Sequence, residues 1–197
     1  MKKIYKKIKK ILSIKFLINL PPKNNILLYD EIHSLTFKEI IKKDFNILKT
    51  RKLEIYFWIF FKQLVLLDFK FSTYCKNYIK FTNPKVIVTF NDRKPKFYKL
   101  KNDFKNISFI SIQNGVHDNN FFKIYPFNNC ECDYFFVFNK YYIQSYEKFI
   151  KSKYVVLGNF QNNIIKISKP KIKNSLLLIS EFDQAPGNIM NFYKKLL

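Results

Sequence analysis

"PKVIVTFNDRKPKFYKLKNDFKNISFISIQNGVHD", residues 84–118, decides how the chain folds. "KVIVTF" (85–90) is a continuous apolar run entered by Pro84, the pattern of a strand buried on both faces. The polar break "NDRK" ends it, and "KPKFYKLKND" (94–103) reads as a helix. "ISFISI" (107–112) is a second buried strand, and it stops abruptly at Gln113-Asn114-Gly115. Buried strands alternating with helices indicate a mostly parallel sheet covered on both sides.

The pattern extends in both directions. Upstream, "NILLYD" (25–30) is a strand after the punctuation Pro21-Pro22. "SLTFKEIIKKD" (34–44) is a helix with Ser34 as its N-cap, and "FNILKT" (45–50) is a strand. Residues 55–81 are apolar and aromatic enough for one or two helices, broken near 68–72. Downstream, "DYFFVFN" (133–139) and "KYVVLG" (153–158) are strands around a helix over 140–150. The expected fold class is α/β: a Rossmann-like, open, mostly parallel sheet with helices on both faces, over residues 21–160.

Residues 1–20 carry Ile4, Ile8, Ile11 and Leu12 at helical spacing among lysines, which predicts a basic amphipathic helix. Residues 161–174 are polar and lysine-rich and read as a linker. Residues 175–197 hold one further strand and the start of a helix, the opening of an incomplete second domain. The most apolar runs, 11–20 and 57–67, are short and interrupted by Lys15 and Lys62, so neither is expected to cross a bilayer. The expected location is cytoplasmic, with the basic surface against the inner face of the cytoplasmic membrane.

The net charge of +22 invites a nucleic-acid reading. The residue types argue against it. Of 36 basic residues only Arg51 and Arg93 are arginine, and Ala185 is the single alanine. Lysine, asparagine, isoleucine, phenylalanine and tyrosine have A/T-rich codons, so the charge reflects base composition in part. A dedicated phosphate grip favours the planar fork of arginine. The three cysteines, Cys75, Cys130 and Cys132, make neither a disulfide framework nor a standard zinc site, and no metal is expected.

In an open parallel sheet, ligands bind beyond the carboxyl ends of the strands. Three expected strand ends gather polar side chains: Asp30, Glu31 and His33; Asn91, Asp92 and Arg93; and Gln113, Asn114, Gly115, His117 and Asp118. A carboxylate or histidine there can serve as general base for a hydroxyl, which singles out Asp92 and His117. Asp30, His33, Asn91, Arg93, Gln113, Asn114 and Gly115 are the expected substrate contacts. Capping of the following helices is the plainer reading for Asp30 and Asp92. Gly187 and Asn188 lie between the 175–180 strand and its helix, where free N–H groups favour a diphosphate.

The 84–118 stretch resembles the N-terminal domain of bacterial surface-carbohydrate biosynthesis proteins with a GT-B-like glycosyltransferase architecture. The resemblance rests on a strand leading to "ND", a helix bearing "FYKLK" and a strand ending in "IQNG". "CDYFFVFNKYYIQSYEKFIKSKYVVLGNFQNN" (132–163) is similar to the same family in its strand, helix and "GNF" turn. Related enzymes often place a His-Gly pair where this chain has Asn114-Gly115, and asparagine cannot act as a base at neutral pH. The resemblance implies sugar transfer from a nucleotide-activated donor to a glycan or lipid-linked acceptor. No cofactor is implied beyond the nucleotide-sugar substrate. The acceptor would bind this domain and the donor a second one, so this chain alone is expected to be inactive. A nucleotide-sugar epimerase of the same architecture, and a non-catalytic module that binds an anion or a partner, are the alternatives.

Overall fold

The computed structural model describes residues 14–51, 54–65, 67–117 and 127–160. All of them belong to one compact unit, Met1–Ile165. The expected linker, the second strand–helix unit and the 1–13 part of the expected N-terminal helix lie outside the described residues.

In chain order the elements are β1 (Lys15–Leu17), β2 (Ile26–Tyr29), α1 (Ser34–Ile41), β3 (Asn46–Leu48), β4 (Glu54–Tyr56), α2 (Phe57–Val65) and α3 (Phe71–Thr82). They continue with β5 (Val86–Thr89), α4 (Pro95–Lys101), β6 (Ser108–Ile112), β7 (Cys130–Val137), α5 (Lys140–Tyr146) and β8 (Ile150–Val156). Six strands form one sheet in the order β3-β2-β5-β6-β7-β8, and every neighbouring pair is parallel. This is the Rossmann-like open α/β sheet that the alternation of apolar runs and helices predicts.

Alternate residues of each strand face opposite sides, and both sides are packed. Leu27, Tyr29, Ile87, Phe109, Phe135 and Val137 form one cluster with residues of α2, α3, α4 and α5. Leu28, Val88, Phe90 and Ile112 form a second, smaller cluster with Phe37 of α1. Helices therefore cover both faces, α2, α3, α4 and α5 packing with the first cluster and α1 with the second. The three cysteines are free and buried, and burial pushes the thiols of Cys75 and Cys132 up to about 12 and that of Cys130 to about 11.

Local chemistry sets the element ends. Pro95 occupies the first turn of α4, where its fixed φ suits a helix start. Asn139 caps α5, its side chain accepting from the Tyr141 N–H at 2.9 Å. Asn83 ends α3 in the left-handed region at φ 45°, its N–H bonded to the Ile79 carbonyl.

Several expectations change: Ile55 and Tyr56, expected as helix, belong to strand β4, and β8 begins at Ile150 rather than 153. His33, at φ 54°, holds the cap position of α1, and Ser34 is the first helical residue. Within the expected 1–20 helix, Lys15–Leu17 is a strand, paired in parallel with β4 in a separate two-stranded sheet. The strand expected at 133–139 begins earlier, at Cys130, where Cys130 and Glu131 pair with Ile150 and Lys151 of β8.

Candidate functional site

The strand order reverses between β2 and β5, so the crevice at that switch point opens at the carboxyl ends of these two strands. Asp30 follows β2, and Asn91-Asp92-Arg93 follow β5. Each of the two aspartates organises its own cluster.

Asp30 is 1% exposed and adopts φ 81°, a conformation few non-glycine residues take. Its carboxylate is held from five sides. Oδ2 accepts from Asn91 Nδ2 at 2.7 Å and Thr50 Oγ1 at 2.8 Å, and Lys94 Nζ lies 3.3 Å away. Oδ1 accepts from the Ile32 N–H at 3.2 Å and meets Arg51 Nε at 3.3 Å. Burial works against its charge, but the hydrogen bonds from Asn91 and Thr50 and the charges of Lys94 and Arg51 outweigh it. The Asp30 pKa is accordingly below its ordinary value of 3.8. Glu31 completes the turn by accepting from the backbone N–H groups of Thr50 and Arg51. Arg51 and Lys94 are thereby anchored at one end and reach solvent at the other, with side chains 55% and 36% exposed.

Asp92 turns the other way, toward β6 and α5. Its Oδ2 accepts from His117 Nε2 and from the Tyr146 hydroxyl, both at 2.8 Å. Its Oδ1 is buried and has no hydrogen-bond partner among the described residues. The Tyr98 hydroxyl donates to the Asp92 carbonyl at 3.1 Å and lies 2.9 Å from Ser111 Oγ. Burial, reinforced by the Asp92 carboxylate, pushes the Tyr146 phenol far up, so it stays protonated and donates. Asp92 is 0% exposed and the His117 side chain 2%. Both side chains are thus enclosed, and the Asp92 carboxylate is engaged by His117 and Tyr146. Capping of α4 is not its role, since Lys94 sits at that cap position.

The remaining strand-end residues divide by what they touch. Gln113 is buried; its Nε2 donates to the Gly115 carbonyl and its Oε1 accepts from the Phe138 N–H, both at 2.9 Å. Its amide ties the loop to the end of β7 rather than facing a ligand. Asn91 likewise gives its side-chain N–H to Asp30. Asn114 is exposed, and its Oδ1 lies 2.6 Å from His33 Nε2. The His33 ring rests edge-on against Phe90 at 5.6 Å. Arg93 is exposed and runs beside Gly115, where an added Cβ would lie 3.8 Å from its Nη2. Gly115 has no left-handed φ to require glycine; Gly158 has one, at φ 79°, with open space around it, the mark of turn chemistry. Gly187, Asn188 and Asp118 lie outside the described residues.

The reachable groups at this edge are thus Arg51, Lys94 and Arg93, with the His33–Asn114 pair beside them. They suit an anionic or polyhydroxylated ligand. Behind them stands the buried Asp92–His117–Tyr146 group. Thr50 and Tyr146 carry no motif of their own in the sequence; their roles follow from which strands and helices become neighbours. No group of three or more histidine, cysteine or acidic side chains that could hold a metal occurs among the described residues. Nor is any helix among them long and apolar enough to cross a membrane.

Residues 110–195 match a family described as "putative O-antigen biosynthesis protein". The matched region takes in the 113–117 loop, β7, α5 and β8, hence His117 and Tyr146, and covers less than half of the chain. No curated protein and no solved structure matches the chain. The family match supports a place in the biosynthesis of surface carbohydrate.

Proposed function

We propose that this chain is a glycosyltransferase-like protein of surface-polysaccharide assembly, working at the inner face of the cytoplasmic membrane on a nucleotide-activated sugar. The observation that carries the reading is the family match through the loop that also bears His117. In this reading Arg51, Lys94, Arg93, His33 and Asn114 contact the acceptor at the switch-point edge. His117 is the general base for the acceptor hydroxyl, and Asp92 is the positioning residue behind it. A carboxylate on one ring nitrogen fixes the tautomer and stabilises the imidazolium that forms when the other takes a proton. Because the His117 ring is 2% exposed, the role requires the 113–117 loop to move when ligand binds.

Genetic complementation tests it. Disruption of the gene is expected to shorten or remove the surface polysaccharide seen on a gel. Wild-type protein should restore it, whereas His117→Ala and the double variant Arg51→Ala/Lys94→Ala should not, at equal protein levels. An unaltered polysaccharide after disruption would remove the pathway assignment. Full restoration by His117→Ala would remove the base assignment alone.

A further inference from the structure

Helix α2, "FWIFFKQLV", is apolar nearly all round yet buries only Ile59 and Gln63. A helix of that composition is ordinarily enclosed by protein or lipid. Here Trp58, Phe61 and Val65 stand out into solvent, Val65 at 69% exposure. The exposure is concentrated. Among the described residues, ten of the eighteen exposed large hydrophobic side chains fall in residues 16–20 and 57–69. Their rings touch one another, Trp58 against Phe57 at 5.5 Å and against Phe61 at 6.5 Å. Between α2, α3 and the segment before β2 runs a groove of about 610 Å³, lined by Leu20, Trp58, Phe61 and Phe81. Ile59, Asn77 and three lysines, Lys23, Lys62 and Lys80, make up the rest of that lining, and among the described residues no carboxylate joins it. Lys23 sits over the Phe81 ring at 5.2 Å.

A contiguous exposed apolar patch of this kind marks a membrane or partner surface. The lysine rim selects between them. Tryptophan and phenylalanine beside lysines are the pairing that seats in the interface of an anionic bilayer, rings at headgroup depth and ammonium groups on the phosphates. We infer that the α2 face, with Trp58 and Phe61 inserted and Lys23, Lys62 and Lys80 on the headgroups, is the surface by which the protein docks on an anionic membrane. The inference deepens the membrane-face part of the proposed function and rests on it for its setting. It places the contact on α2 and the groove rather than on the basic N-terminal stretch.

Trp58 is the only tryptophan in the chain, so its fluorescence reports on this face alone. The full-length protein would be titrated with vesicles of phosphatidylglycerol and phosphatidylcholine, and with phosphatidylcholine alone. The expected result is a blue shift with the anionic vesicles only, reversed by salt, together with quenching by lipids brominated near the headgroup. Lys62→Gln/Lys80→Gln should weaken binding about 25-fold, at about fivefold per lysine. Phe61→Ser should weaken it too while the far-ultraviolet circular dichroism stays unchanged. Co-sedimentation without a Trp58 shift would overturn the assignment to this face, as would a shift that appears with rising protein concentration and no vesicles, which signifies a second copy on the patch. The titration needs no transfer activity, so its failure leaves the sugar-transfer reading standing, and failed complementation leaves a positive titration intact.

Discussion

Asp30 and Asp92 are both buried aspartates, one at the end of β2 and one beyond the end of neighbouring β5, yet they are built for opposite purposes. Asp30 is saturated: both oxygens are engaged by side chains, a backbone N–H and two cations. Among the described residues Asp92 engages one oxygen only, with His117 and Tyr146, and the other has no partner there. A saturated carboxylate fixes its surroundings. A half-used one retains acceptor capacity. The same edge of the sheet thus separates into a saturated corner at Asp30, which presents Arg51 and Lys94, and a buried corner at Asp92, which holds His117 and Tyr146.

Amide substitution tests that difference most severely. In Asp30→Asn one oxygen becomes an NH₂ facing groups that already donate, and two ion pairs weaken. The expected loss is about 3 kcal/mol, within the range for breaking a buried pair and moderated because Arg51 and Lys94 stay partly in solvent. In Asp92→Asn the NH₂ can take the place of Oδ1, which no donor among the described residues faces, and the expected loss is about 1 kcal/mol or less. Urea unfolding midpoints of the two variants check this. Equal losses would erase the distinction between the corners.

A smaller effect follows from acid. The Asp30 pKa is lowered in the folded state, so its contribution to stability is present above the ordinary value of 3.8 and is lost as pH falls through the folded value. The stability advantage of wild type over Asp30→Asn should therefore be constant from neutral pH down to about pH 5 and shrink below about pH 4. Unfolding curves taken across that range measure it. A difference that grows in acid would mean that Asp30 is not held as the anion.

Most of the sheet was legible because β5, β6 and the core of β7 are apolar on both faces, a pattern that needs cover on two sides. The strand β1 was not, since three residues among lysines carry no period and the surrounding sequence reads at helical spacing. The start of β7 was hidden by Glu131, whose cation, Lys105, comes from the loop that follows α4. In the candidate site, Asp30, Asp92 and His117 stood out as polar residues at strand ends. Their partners Thr50 and Tyr146 did not, because each pairing depends on which elements become neighbours. Gln113 and Asn91 looked like ligand contacts from the sequence; only the fold shows their amides taken up by Gly115, Phe138 and Asp30.

The proposed function has Asp92 positioning His117. Long-range proton–nitrogen NMR of the two histidine rings in wild type and Asp92→Asn tests it directly. The His117 ring signals should move, because its Nε2 loses a carboxylate acceptor, while those of His33, paired with Asn114, should stay in place. Unmoved His117 signals, or both rings shifting together, would contradict the account.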